Sequence, residues 1–312
     1  MAGKPGRYAD ALNPEPRTLP GRHGPALNAV ILGYNTNGLA HHDLLDAIVL
    51  LGEIGYQSVA ITIDHGALAP ESAETPGQLQ RVRRMVRTLG MRSVIETGAR
   101  FLLDPRRKHE PTLVSSDATA RARRVEFYRH AVRCAVELES DCVSLWSGAA
   151  ERLVPRDLAT QWLVQGLREV LDYAAQRGVV IGFEPEPGML IDSMARYEEL
   201  LRLVDVPNFR LTLDVGHLQC QQELPIPDFV RRFALRLVNV HVEDMRAGVH
   251  EHLMFGEGEI DFAGALQALA EVGYQGGVHV ELSRHSREAP RAARRAYEFL
   301  NRLMERFAAD HG

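Results

Sequence analysis

The sequence predicts a single α/β domain in which eight parallel strands, each followed by a helix, close into a (β/α)8 barrel. Three observations carry this. Short β-branched or apolar runs alternate with longer stretches whose apolar residues recur at three- and four-residue steps, and such alternation builds a parallel sheet. Eight of these units fill about 280 residues, close to the length a closed barrel needs. No Gly-x-Gly-x-x-Gly turn follows the first strand, where an open dinucleotide-binding sheet would place its phosphate loop. Gly256-Glu257-Gly258 is a poor substitute because it follows no strand.

Residues Met1–Pro25 hold Pro5, Pro14, Pro16, Pro20 and Pro25 among Gly and Arg without apolar periodicity, so they read as a flexible arm (1–25), with the barrel occupying 26–312. The expected strands are Asn28–Gly33, Ser58–Ile63, Ser93–Glu96, Cys142–Trp146, Val179–Glu184, Arg210–Asp214, Leu237–His241 and Gly277–Glu281. The helices expected between and after them are His42–Ile54, Gly77–Leu89, Ala118–Leu138, Leu158–Arg177, Ser193–Leu203, Pro227–Phe233, Phe262–Val272 and Ala289–Ala308. Gly55, Gly90, Gly178 and Gly273 follow the last periodic residues of four helices, as left-handed C-terminal caps require.

Composition narrows the function classes. The 312 residues carry a formal charge of −5, with 45% hydrophobic and 25% charged residues, ordinary globular usage with ample material for a core. A net acidic chain repels a phosphate backbone, which argues against nucleic acid as a partner. Cys134, Cys142 and Cys220 form no CxxC pair, so neither a disulfide framework nor a thiolate zinc site is indicated, and a reducing cytoplasm fits. No apolar run is long enough to span a bilayer and no cleavable leader is evident, so a soluble cytoplasmic protein is expected.

The late strands point to chemistry. With side chains assigned alternately to the two faces, Val179, Ile181 and Phe183 oppose Gly182 and Glu184. Leu211 and Leu213 oppose Thr212 and Asp214, Val238 and Val240 oppose Asn239 and His241, and Val278 and Val280 oppose His279 and Glu281. Apolar residues would pack outward on helices, and each inward row ends in an ionisable group. Glu184, Asp214, His241 and Glu281 therefore gather at the C-terminal mouths of four strands, where barrels of this class build their sites. Three carboxylates held that close demand a positive charge. An oxygen-rich set with one imidazole suits Mn²⁺, Mg²⁺, Co²⁺ or Zn²⁺.

The segments "GFEPEPG" (Gly182–Gly188), "LTLDVGH" (Leu211–His217), "NVHVEDM" (Asn239–Met245), "HEHLMFGEGEIDF" (His250–Phe262) and "GVHVEL" (Gly277–Leu282), in this order, resemble the xylose-isomerase-like TIM-barrel superfamily. That group holds sugar-phosphate isomerases and epimerases and is related to the AP endonucleases; the resemblance spans about Ala26 to Phe307. It implies a divalent metal bound by Glu184, Asp214, His241 and Glu281, with Glu184 and Glu281 also working as acid and base on a carbon next to a carbonyl. His217, three residues past Asp214, resembles the family's substrate- or metal-binding His. Where the endonucleases carry an Asp-x-His that binds further metal, this chain has His250-x-His252, which weighs against a three-metal phosphoesterase site.

Other candidates face the same mouth. Arg246 could neutralise developing charge, and Trp146, inward by parity, could stack on a sugar. Glu96, inward with Val94, precedes a long basic loop in which Arg100, Arg106, Arg107, Lys108 and His109 could hold a polar ligand. Asp64-His65 ends the second strand, and His279 is expected to fill an inner layer of the barrel. The expected activity is a metal-dependent isomerase or epimerase of a sugar, cyclitol or keto-sugar, abstracting a proton alpha to a carbonyl through an enediolate. A lyase acting on an inosose or 3-keto-glycoside is the main alternative, and an AP-endonuclease-like phosphodiesterase a more distant one. The partner is then a small carbohydrate, with neither nucleic acid nor membrane involved and homo-oligomerisation left open.

Overall fold

The computed structural model describes residues 30–311, with side chains up to residue 306. The expected arm Met1–Pro25 and the start of the expected first strand lie outside the described residues. Eight parallel strands close into a barrel: β1 (Ile31–Asn35), β2 (Ser58–Thr62), β3 (Arg92–Glu96), β4 (Val143–Leu145), β5 (Ile181–Phe183), β6 (Phe209–Asp214), β7 (Leu237–Val242) and, returning to β1, a strand at Gly277–Val280. Between them run α1 (Leu44–Ile54), α2 (Thr75–Thr88), α3 (Ala118–Leu138), α4 (Arg156–Ala175), α5 (Met194–Val204), α6 (Val215–Cys220) and α7 (Ile226–Arg232). A two-stranded antiparallel hairpin, β8 (Asp244–Arg246) and β9 (Val249–Leu253), follows β7; then come α8 (Phe262–Glu271), the closing strand β10 (Gly277–Val280) and α9 (Ala289–His311). No helix among the described residues is long and apolar enough to cross a membrane.

Local chemistry explains the boundaries. Asp43 and Ser193 cap the first turns of α1 and α5 with their side-chain oxygens, and Gly55 closes α1 in the left-handed conformation at φ 118°. β1 starts later and runs further than the sequence pattern indicates. Leu32 and Tyr34 are buried beneath the helices, so Gly33 and Asn35 form the inward row. Gly33 pairs with His279, and a Cβ there would sit 2.2 Å from the imidazole. His279 is thereby accommodated in the barrel interior, bonding Ser58 Oγ at 2.8 Å and Asn239 Oδ1 at 2.7 Å.

Two expectations need correction. Val238 does not share the outward face of Val240. The β6–β7 register shifts between Leu211 and Thr212, and Val238 packs with the separate cluster of Ala60, Val94 and Cys142. A bulge inserts one residue and so breaks the two-residue period. The β8–β9 hairpin and α6 were also not expected, since neither is long enough for a periodicity to show.

Candidate active site

The four late-strand residues converge. One ligand atom from each of Glu184, Asp214, His241 and Glu281 lies within 4.8 Å of all the others. His241 Nδ1 is 3.1 Å from Glu184 Oε1, 3.0 Å from Glu281 Oε2 and 3.9 Å from Asp214 Oδ2. Its other nitrogen, Nε2, is 2.9 Å from Glu96 Oε1, and the Asn239 amide donates to the same carboxylate oxygen at 3.0 Å. With Glu96 accepting at Nε2, Nδ1 would be free to give its lone pair to an ion among the three carboxylates, the carboxylate–histidine arrangement that orients a metal ligand. Asp214 Oδ1 caps α6 by accepting from the His217 amide at 2.9 Å, while Oδ2 is buried without a hydrogen-bond donor among the described residues. A deprotonated, undonated oxygen pointing into a ring of oxygens and one nitrogen fits a divalent cation.

The electrostatics show the same crowding. Burial raises the Glu184 pKa well above the carboxylate range, against the pull of His241. For Glu281 burial acts in the same direction, but His241, His252 and the Asn37 amide outweigh it and hold the group low. Burial would lower His241, yet Glu184, Glu96 and Glu281 raise it far above an ordinary imidazole.

These residues floor a cleft of about 440 Å³ that Trp146, His217, His252, Glu96 and His109 also line. His217 sits 3.0 Å from the Pro185 carbonyl through Nδ1 and 3.1 Å from His250 through Nε2. With His250 and His252 it forms a second group of nitrogens within 4.8 Å. His252 Nδ1 meets the Glu281 carbonyl at 3.0 Å. Trp146 is buried, one face taken by the Arg124 guanidinium at 4.9 Å and the ring meeting His109 edge to face at 5.5 Å. Burial pushes His109 down to about 4. Glu96 lines the cleft as expected, but its carboxylate is committed to His241 and Asn239. In the basic loop Arg100 and Lys108 reach the cleft, whereas Arg107 pairs with Asp104 at 2.9 Å on the surface.

Arg246 does not reach the site. The hairpin turns its exposed side chain outward, where it donates to the Glu257 carbonyl at 2.7 Å.

Three residues of the site were not anticipated. Asn37 Nδ2 donates to Glu281 Oε1 at 2.7 Å. Glu186 lines the cleft with its pKa raised to about 8, by burial and by Glu281 and Asp214. Glu243 is fully buried, both its carboxyl oxygens lack a hydrogen-bond partner among the described residues, and burial together with Asp214 and Glu281 raises its pKa well above normal. Glu186 and Glu243 continue an inward row beyond the strand end, Gly182–Glu184–Glu186 and Asn239–His241–Glu243, whereas Asn37 sits in a 3-10 turn, Thr36–Leu39, that follows β1.

A closed parallel barrel with carboxylates and imidazoles converging at its C-terminal mouth defines the class. The chain belongs to the xylose isomerase-like TIM barrel family, whose model matches residues 48–303. It is 25% identical over 253 residues to the L-ribulose-5-phosphate 3-epimerase UlaE of Shigella flexneri, covering 80% of this chain and 85% of that one. An uncharacterized protein of Methanocaldococcus jannaschii is 26% identical over 232 residues, 67% of this chain and 77% of its own length. Among solved structures, an L-ribulose 3-epimerase superposes with a TM-score of 0.72 at 18% identity, covering 90% of this chain and 96% of that one. The apo 3-keto-D-glucoside 4-epimerase YcjR of E. coli gives 0.72 at 15% identity, covering 88% and 99%. At these identities the superpositions show a shared fold.

Proposed function

We propose that the protein is a divalent-metal-dependent epimerase of a keto-sugar, inverting a carbon next to the carbonyl. The observation that carries this reading is the convergence of Glu184, Asp214, His241 and Glu281 within 4.8 Å, with Glu184, His241 and Glu281 lining an open cleft. Relatives named as sugar 3-epimerases support it.

These four residues would hold the ion, with Glu96 fixing the His241 ring. When bound, a divalent cation supplies Lewis-acid polarisation of a carbonyl and an adjacent hydroxyl oxygen, which acidifies the hydrogen on the carbon between. Glu184 and Glu281 stand on well-separated strands of the barrel, so one carboxylate can remove that hydrogen while the other returns one to the opposite face. Asn37 restrains Glu281 at Oε1 and leaves Oε2 toward the centre. His217 and Glu186 line the cleft where substrate hydroxyls would need partners. Elimination from a keto-glycoside begins with the same proton abstraction, and its products identify it.

Incubating Mn²⁺-loaded protein with a panel of ketoses, ketose phosphates and glycosylated ketoses, followed by chromatographic separation of the sugars, tests the reading. An epimer at the stereocentre next to the carbonyl, C3 in a 2-ketose, should form with at least one member of the panel and disappear on chelation. Failure to produce an epimer from any of them, in protein that retains the ion, would refute it.

A further inference from the structure

A second cavity of about 260 Å³ opens beside the active cleft. It shares Asn37, Thr62 and Arg100 with the cleft and extends beneath the loops after β1 and β2. Its volume falls short of the roughly 300–1,000 Å³ of self-sufficient ligand pockets, so it suits an annexe to the cleft better than an independent site.

Its lining is that of a carbohydrate site. Leu39, Leu44 and Ala47 give one apolar wall, and Asn37, His42, Thr62, Asp64 and Arg100 supply polar groups. Two of these atoms are orphaned. Asn37 Oδ1 and His42 Nδ1, which belong to residues lining the junction and the annexe, are buried without a hydrogen-bond partner among the described residues. A buried polar atom left unpaired costs about 1–3 kcal/mol, and a hydroxyl, both donor and acceptor, satisfies either kind. An anionic group is a poorer fit. The guanidinium in the annexe, Arg100, lies 3.4 Å from Asp64 Oδ2 and donates to the Asn37 carbonyl, so a phosphate placed there would meet the Asp64 carboxylate. Lys108 lines the first cleft rather than the second.

Position adds the last step. The Asn37 amide that borders the annexe also holds Glu281. A substrate with its carbonyl end at Glu281 can therefore run a substituent past Asn37 into the second cavity. We propose that this cavity is a subsite for an uncharged O-linked glycosyl group, and that the substrate is a glycosylated keto-sugar rather than a free ketose or a ketose phosphate. The proposal rests on the epimerase reading for which end of the substrate carries the carbonyl.

Calorimetric titration of the Mn²⁺-loaded chain with D-fructose, three glycosyl fructoses (isomaltulose, leucrose and lactulose) and fructose 6-phosphate tests it. At least one glycosyl fructose should bind about tenfold more tightly than D-fructose, which corresponds to roughly 1.4 kcal/mol. Gly66→Trp should reduce that advantage to below about twofold. Gly66 lines the cavity, a Cβ there meets nothing within 4 Å, and its φ is not left-handed, so the backbone accepts a side chain. His42→Ala provides a second variant and should cut the advantage by about two- to tenfold, the range of one lost hydrogen bond. The proposal is overturned if no glycosyl fructose outbinds D-fructose, if fructose 6-phosphate outbinds all three, or if the advantage survives both substitutions. Solvent-deuterium exchange on the same samples separates the two readings. Exchange without glycoside preference removes the subsite and leaves the epimerase, whereas preference without exchange does the reverse.

Discussion

The two halves of the barrel mouth are built from different chemistry. Strands β5, β6, β7 and β10 deliver Glu184, Asp214, His241 and Glu281, all ionisable and all within 4.8 Å. Strands β1 to β4 and the residues just past their ends deliver Asn35, Asn37, Thr62 and Trp146, which are neutral, together with a single carboxylate, Glu96, that turns to support His241; the cations Arg100 and Lys108 come from the loop after β3. The first group concentrates charge at one point, as bond-making requires. The second spreads hydrogen-bonding and apolar contacts along a cleft, as substrate recognition requires. Under the proposed function, the division teaches that the ionisable half would set the reaction and the neutral half which molecule undergoes it.

Substitutions should respect that division. The largest effect is expected for Glu184→Gln, which retains shape but removes the proposed acid–base group and ion ligand. Turnover should fall by about 10²–10⁴-fold or more, as measured by steady-state kinetics with metal content determined on the same samples. Glu96→Gln probes the one residue that crosses between halves. Losing the carboxylate behind His241 should weaken metal affinity by about 10–100-fold, read by competition with a chelating dye. Unchanged affinity would break the comparison. Trp146→Ala belongs wholly to the neutral half and should raise KM by up to about tenfold, from one lost aromatic contact of about 0.5–1.5 kcal/mol, while metal stoichiometry holds.

Stability provides two smaller tests. Gly33→Ala drives a methyl into His279 and should destabilise the barrel by about 1–3 kcal/mol in denaturant titration. His109 and His279 are held neutral by burial, at about 4 and about 3, below the 6.5 of a free imidazole. The unfolded chain therefore binds protons more readily than the fold between about pH 6.5 and 3, and these groups favour the fold less as pH falls through that window. Glu184, Glu186, Glu243 and His241, raised in the fold, act in the opposite sense, so the effect is isolated by substitution: His109→Gln should lose less melting temperature than the wild type between pH 7 and pH 4.

The sequence carried most of this architecture because strand and helix periods alternate so regularly. Glu184, Asp214, His241 and Glu281 were legible because each ends an inward row of its strand. What was missed follows from stopping there. Glu186 and Glu243 keep the same parity beyond the last strand residue, whereas Asn37 is brought to the site by the short 3-10 turn Thr36–Leu39 that directly follows β1, which no strand period announces. Val238 was misplaced because a bulge, fixed by pairing with β6, leaves no local sequence signature. Arg246 pointed to the site only on its spacing from His241, and the hairpin that turns it outward is too short and polar to read in advance. His42 and Asp64 enter a common cavity only through tertiary contact between the β1 and β2 loops.

The central claim is that the ionisable half moves a proton on a carbon beside a ketone. Proton NMR of Mn²⁺-loaded protein turning over its ketose in D₂O measures this directly. One carbon-bound hydrogen alpha to the carbonyl should be replaced by deuterium, and metal-loaded Glu281→Gln should abolish the exchange. Turnover that leaves every carbon-bound hydrogen in place, or exchange undiminished in Glu281→Gln, would contradict the account.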